Sequence, residues 1–264
     1  VVEWSSFSDL RAAEKTAPVA EILIPESTLP SQQQEVRYSD ELPSLEETPV
    51  AVVEKPIDTR LVTVTTDTFK VTIDTLGGDI VQVQLLNHLT KMAVDGGEPF
   101  TLLTRSKKNE YIAQSGLIGK NGTDTRAGRP VYSVSQSEFT LEPGEQSLNV
   151  DLNLNQNGVN IVKRFVFTAN DYVIGVNYLI ENGGYDSWEA TFYGQIKRDS
   201  HEPLIESSGG VSPYLGAALR EPEKNFSKYD FNDVREESIK AEIKGGWVSM
   251  VQHYFISAWI PPTN

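Results

Sequence analysis

The stretch LVTVTTDTFKVTIDTLGGDIVQVQLL, Leu61 to Leu86, decides the fold class. Phe69, Val71 and Ile73 fall on one side of an alternating segment. Gly77-Gly78 then interrupts it, and Val81, Val83 and Leu85 resume the alternation. Period-two spacing of β-branched and aromatic residues, broken by a glycine pair, reads as strand, turn, strand.

The same texture continues toward the C-terminus. From Pro130 to Gly184 several further strands are expected, separated by Pro143-Gly144, Asn157-Gly158, Asn170-Asp171 and Gly183-Gly184. These dipeptides are turn chemistry, because Gly and Asn tolerate positive φ and Pro fixes φ near about −65°, as the first central position of common turns requires. SWEATFYGQIKR adds another strand. Helix is credible only within EKNFSKYDFNDVREE and near Lys91. Many short strands joined by turns predict a mainly β sandwich or barrel.

Toward the N-terminus the composition changes. Residues 1–60 contain none of the 19 glycines and six of the 14 prolines, with 12 acidic and five basic side chains. The Pro25–Pro56 segment is rich in Pro, Glu, Ser and Gln and poor in aromatics. Such a segment buries too little apolar surface to offset its ordering entropy, so it is expected to be a disordered linker. The expected organisation is therefore residues 1–60 as linker and 61–264 as one β domain. The whole chain carries a net charge of -14, which repels nucleic acids and anionic headgroups and argues against both as partners. It has no cysteine, so disulfides, thiolate metal sites and cysteine nucleophiles are excluded.

Motifs for chemistry are sparse. GLIGKNGTD (Gly116–Asp124) lacks the Ser or Thr after its lysine that a phosphate-binding loop requires, and reads as a glycine-rich surface loop. His88, His201 and His253 stand apart from one another. RDSHEPLIE gathers Asp199, His201, Glu202 and Glu206, where a histidine and a carboxylate could exchange a proton. A polar loop between strands explains that grouping equally well. No catalytic, metal-binding or cofactor-binding residue is assigned, and no cofactor is expected.

GGWVSMVQHYFISAWIP, Gly245 to Pro261, is the most aromatic segment. As a helix it would align Trp247, Met250, Val251, Tyr254, Phe255, Ala258 and Trp259 on one face. As a hairpin it would give two strands bent at Gln252-His253. Periodicity does not separate the two. The segment is too short and too polar to span a bilayer, which takes roughly 20 apolar residues.

That segment resembles the G-G-W…Y-F…A-x-I-P block of the soluble domain in the YidC family of bacterial membrane-protein insertases. TLGGDIVQVQLL, QSGLIGKNG, RPVYSV, KRFVFTANDYVIGVNY, YGQIKR, LGAAL and FSKYDF resemble further blocks of that family, in the family's order between Leu61 and Pro261. The resemblance implies a periplasmic domain with a twisted β-supersandwich fold, similar to galactose mutarotases, with few short helices. It implies that VVEWSSF is the outer end of a first membrane segment, that residues 1–60 form the tether, and that the domain is truncated at its C-terminal end. It favours the hairpin reading of 247–260.

For function, the resemblance implies a non-enzymatic accessory domain of an inner-membrane insertase and chaperone. Its partners would be the Sec translocon with its accessory subunits, and nascent membrane proteins reached through a transmembrane core not contained in these residues. Tyr214, Leu215, Phe226, Tyr229 and Phe231 are the candidate partner contacts, since aromatic side chains anchor interfaces. The competing reading is that they pin a long loop onto the sandwich. A carbohydrate-binding or mutarotase-like domain, with His201 and Glu202 or Glu206 as its acid–base pair, is the alternative from fold analogy.

Overall fold

The computed structural model describes residues 60–200, 214–252 and 254–262. The expected linker and membrane-segment end lie outside the described residues, apart from Arg60. So do His201, Glu202 and Glu206.

Fourteen strands follow one another in the described residues: β1 (Leu61–Thr65), β2 (Phe69–Asp74), β3 (Asp79–Leu89), β4 (Pro99–Arg105), β5 (Glu110–Ile118), β6 (Glu138–Thr140), β7 (Ser147–Gln156), β8 (Val159–Thr168), β9 (Ile174–Asn182), β10 (Thr191–Arg198), β11 (Leu215–Leu219), β12 (Ser227–Tyr229), β13 (Val248–Gln252) and β14 (Phe255–Trp259). The expected helical regions are small. A 3₁₀ turn covers Ala93–Asp95, and α1 covers only Phe231–Glu236, while Ser227–Tyr229 before it is strand. The helix starts there because Asp230 caps it, accepting from the backbone N–H of Asn232 and Asp233.

The strands form a seven-stranded sheet in the order β10-β5-β4-β3-β2-β1-β6, a three-stranded sheet β7-β8-β9, and a four-stranded sheet β12-β11-β13-β14. Only the β1–β6 contact is parallel. The fold is mainly β, layered and without a closed barrel among the described residues, as expected. Val62, Val64, Phe69, Val71, Ile73, Val83 and Leu85 of the large sheet meet Val150, Leu152, Phe165 and Phe167 of the three-stranded sheet in one apolar core. The alternation read from the sequence is thus the alternation between core and outer face.

Turn chemistry behaves as the dipeptides predict. Asn157 and Gly158 both have positive φ, 53° and 80°, and they alone join β7 to β8, since Gln156 pairs with Val159. That is the geometry which matches the twist of a two-residue hairpin. The aromatic segment is a hairpin rather than a helix: Gln252 pairs with Phe255, and Val248 with Trp259. Pairing of β13 with β11 gives its backbone groups partners that an isolated helix would not need.

One feature of the core is not apolar. Along β8 the inward series is Val159, Ile161, Lys163, Phe165, Phe167, and Lys163 is 0% exposed. Its ammonium nitrogen donates to the carbonyls of Gly77 at 2.9 Å and Ser115 at 2.8 Å. Gly77 and Gly78 have φ of 75° and 64°. A Cβ on Gly78 would lie 2.8 Å from Cδ of Lys163. The glycine pair therefore serves both the turn and the approach of Lys163 from the opposing sheet.

Gly78→Ala is expected to destabilise the domain by about 2–4 kcal/mol, combining positive-φ strain with overpacking against Lys163. Gly144→Ala, where φ is 97° but nothing lies within 4 Å, should cost only about 1–2 kcal/mol. Urea unfolding of the two variants beside the parent chain checks this. Equal midpoints for the two variants would remove the packing role of Gly78.

Candidate partner-docking face

The sequence-predicted contact residues come together on the four-stranded sheet. Tyr214 enters β11, Leu215 begins it opposite Gln252, and Tyr229 closes β12 opposite Ala217. Phe226 immediately precedes β12 and Phe231 is the first residue of α1. The backbone therefore places all five around one edge, because β12 is the outermost strand of that sheet.

Alternation sorts the FSKY run into two faces. Phe226 and Lys228 point to one side. The Lys228 ammonium lies 4.8 Å from the ring centre of Tyr214 and 5.6 Å from that of Phe226, a cation–π arrangement. Phe226 also meets Trp247, with ring centres 5.6 Å apart. Ser227 and Tyr229 point to the other side, and both hydroxyls donate to the carboxylate of Glu221. The hydroxyl of Ser227, then that of Tyr229, holds the Glu221 carboxyl below its usual range. The same carboxylate raises the Tyr229 phenol.

The five residues are not equivalent. Phe226 is 48% exposed and presents its ring to solvent. The Tyr214 hydroxyl is committed to the carbonyls of Ala217 at 2.6 Å and Tyr229 at 2.9 Å, so it ties β11 to β12. Leu215 and Phe231 are half-buried. Phe231 lies under the guanidinium of Arg198, 5.8 Å from ring centre to Cζ. Lys228 and Trp247 belong to the Phe226 face and Glu221 to the opposite one, and all three were missed by sequence reasoning. The stretch is a candidate helix in the sequence; only with β12 (Ser227–Tyr229) established as a strand does the two-residue spacing put Lys228 on the side of Phe226.

The sheet is fixed to the body through β10. The Arg198 guanidinium donates to the Gln252 side chain at 2.8 Å and stacks 4.7 Å over the Tyr111 ring centre. The Trp259 indole N–H donates to the Gln195 carbonyl at 3.0 Å. A Cβ on Gly194 would lie 2.8 Å from the Trp259 ring. The Phe100 and Phe255 rings stack with centres 4.3 Å apart.

The other motifs gather elsewhere. Gly77-Gly78-Asp79, Gln114-Ser115, Arg129 and Lys163 meet in the core, with Arg129 paired to Asp79 and, at 2.8 Å, to Asp124. Asp124 ends the segment expected to be a glycine-rich surface loop. That expectation is corrected: Gly122, Thr123 and Asp124 are buried. The Asp124 carboxylate accepts from the Leu117 N–H at 3.1 Å, the Thr123 hydroxyl at 3.0 Å and the Tyr193 hydroxyl at 3.2 Å. Those partners draw the loop inward.

Tyr214→Phe is expected to cost about 1 kcal/mol of stability, the net worth of a buried hydroxyl hydrogen bond. Phe226→Ala should cost less than about 1 kcal/mol, because about half of the ring already faces water. Thermal unfolding distinguishes them. A larger loss for Phe226→Ala would mark it as a packing residue instead of a contact.

Residues 61–264 match the family model described as YidC periplasmic domain. The chain is 47% identical over 223 residues to the membrane protein insertase YidC of Cellvibrio japonicus, covering 84% of this chain and 40% of the relative. It is 48% identical over 217 residues to that of Saccharophagus degradans, covering 82% and 38%. To that of Haemophilus influenzae strain Rd it is 41% identical over 213 residues, covering 80% and 38%. The chain thus spans about two fifths of the length of these curated relatives. With both the match to residues 61–264 and this level of identity, the chain belongs to the family of YidC periplasmic domains.

Proposed function

We propose that this chain is the periplasmic accessory part of an inner-membrane insertase and acts as a docking domain without catalysing a reaction. The partners would be accessory subunits of the Sec translocon, and through them the insertase would meet nascent membrane proteins. The observation that carries this reading is the edge formed by Tyr214, Phe226, Lys228 and Trp247. It combines an exposed aromatic ring, a cation and a backbone held rigid by the Tyr214 hydroxyl. Interfaces concentrate their binding energy in such aromatic anchors on rigid supports. The names of the relatives, membrane protein insertases, supply the cellular context.

Photo-crosslinking amino acids placed at Phe226 and Lys228 in the full-length insertase test it, with exposed Tyr185 as the control. Crosslinks to Sec subunits at the first two positions and not at the third are the expected result. Equal yields at all three positions, or none, would overturn the docking assignment.

A further inference from the structure

Four cations gather where the chain enters the β domain. Arg60 precedes β1, and its backbone carbonyl accepts from the Thr75 N–H at 2.9 Å. Its guanidinium lies 3.6 Å from the Asp74 carboxylate. Arg105, at the end of β4, donates to the same carboxylate oxygen at 2.6 Å. Lys107 and Lys108 follow in the turn to β5, and both are exposed. That turn is fixed by Ser106, whose hydroxyl oxygen accepts from the Lys108 N–H at 3.3 Å and the Asn109 N–H at 3.0 Å.

Carboxylates do not balance this group. Asp74 is buried, faces both arginines and also accepts from the Leu76 N–H at 2.9 Å. Among the described residues no carboxylate forms an ion pair with Lys107 or Lys108. The Nε–H of Arg60 is buried with no hydrogen-bond partner among those residues, and a buried donor left unmet is costly. The neighbouring carboxylates are engaged, Glu110 with Lys197 at 3.3 Å and Asp199 with the Glu110 N–H. A local excess of positive charge thus sits on a chain whose net charge is -14.

The acidic complement lies directly upstream. Asp40–Asp58 contains six acidic side chains, Asp40, Glu41, Glu46, Glu47, Glu54 and Asp58, against one basic, Lys55. Each residue of extended chain spans at most about 3.6 Å, so Asp58 cannot leave the neighbourhood of Arg60. Covalent attachment holds such a segment at an effective concentration on the order of millimolar. A single exposed ion pair contributes little, whereas several charges acting together through a short connection contribute more. A diffusible acidic partner lacks that advantage.

We propose that Arg60, Arg105 and the Lys107–Lys108 turn form a docking surface for the acidic segment Asp40–Asp58 of the same chain. Charge complementarity holds the segment, so its hold weakens as salt rises and the screening length falls from about 30 Å at 0.01 M to about 3 Å at 1 M. Docking draws the chain ahead of the domain back toward the seven-stranded sheet and shortens the reach of residues 1–60. The segment also competes with any anionic partner that approaches this end of the sheet.

The test is paramagnetic NMR on the 264-residue chain. The chain has no cysteine, so Ser44→Cys accepts a single spin label between Glu41 and Glu46. Broadening of the Lys107 and Lys108 amides by the label is compared at about 0.01 M and about 1 M salt. Chain connectivity without docking gives the opposite trend, because self-repulsion extends an acidic segment at low salt. Broadening at least about twofold stronger at low salt is expected. Lys107→Glu combined with Lys108→Glu should abolish that excess, and both positions are exposed enough to leave the fold intact. Broadening that is equal or weaker at low salt, or centred away from the β4–β5 turn, would overturn the docking. So would equal broadening of an isotope-labelled chain by a separate spin-labelled chain, which makes a second copy the occupant. Lys107 and Lys108 signals that respond only to phosphatidylglycerol vesicles would assign the surface to lipid and overturn it as well.

Discussion

Lys163 crosses from one sheet to the backbone of another, and the rest of the sandwich is arranged so that it can. Its two acceptors are the turn between β2 and β3 and the middle of β5. Gly77 and Gly78 keep that turn free of side chains where Arg129 and Lys163 approach. Such a buried polar contact adds modest net stability, but leaving one of its partners unsatisfied costs about 1–3 kcal/mol. Its effect is on specificity: a slip of one residue in β8 would send Lys163 outward and leave the carbonyls unmet.

The docking edge depends on the same framework through β10. Tyr193 of that strand reaches Asp124 in the buried cluster. Its neighbour Gly194 lies beneath Trp259. Arg198, at the end of the strand, holds Gln252. Alternate residues of one strand thus face the ionic core and the four-stranded sheet. An aromatic edge supported in this way loses little conformational entropy when a partner arrives, which is the physical advantage of a preformed surface.

Much of this was legible in sequence. The alternation of Phe69, Val71 and Ile73 and the turn at Asn157-Gly158 are local properties, and local sterics suffices to read them. The family blocks were legible too, but their meaning was not. The blocks around Gly77, Gln114, Arg129 and Lys163 serve the buried cluster, while LGAAL, FSKYDF and GGWVSMVQHYFISAWIP build the docking sheet. Lys163 went unnoticed although its place in the inward series of β8 marks it. A lysine in a strand is ordinarily outward, and only a count of parity against Ile161 and Phe165 exposes the exception. Asp124 was missed for a different reason: two of its partners, Leu117 and Arg129, are within seven residues, but the third, Tyr193, comes from β10, 69 residues away.

The sequence by itself determined the elements, the faces they bury and the turns between them, because those follow from side-chain periodicity and backbone sterics within a few residues. It left the aromatic C-terminal segment undecided between helix and hairpin. Tertiary structure decided that choice, since β11 supplies backbone partners that make a strand of Val248–Gln252. It also decided which polar residues are buried and which of the aromatic candidates face solvent. Those outcomes depend on charges and carbonyls brought together from positions as far apart as Gly77 and Lys163. No local rule of spacing encodes them.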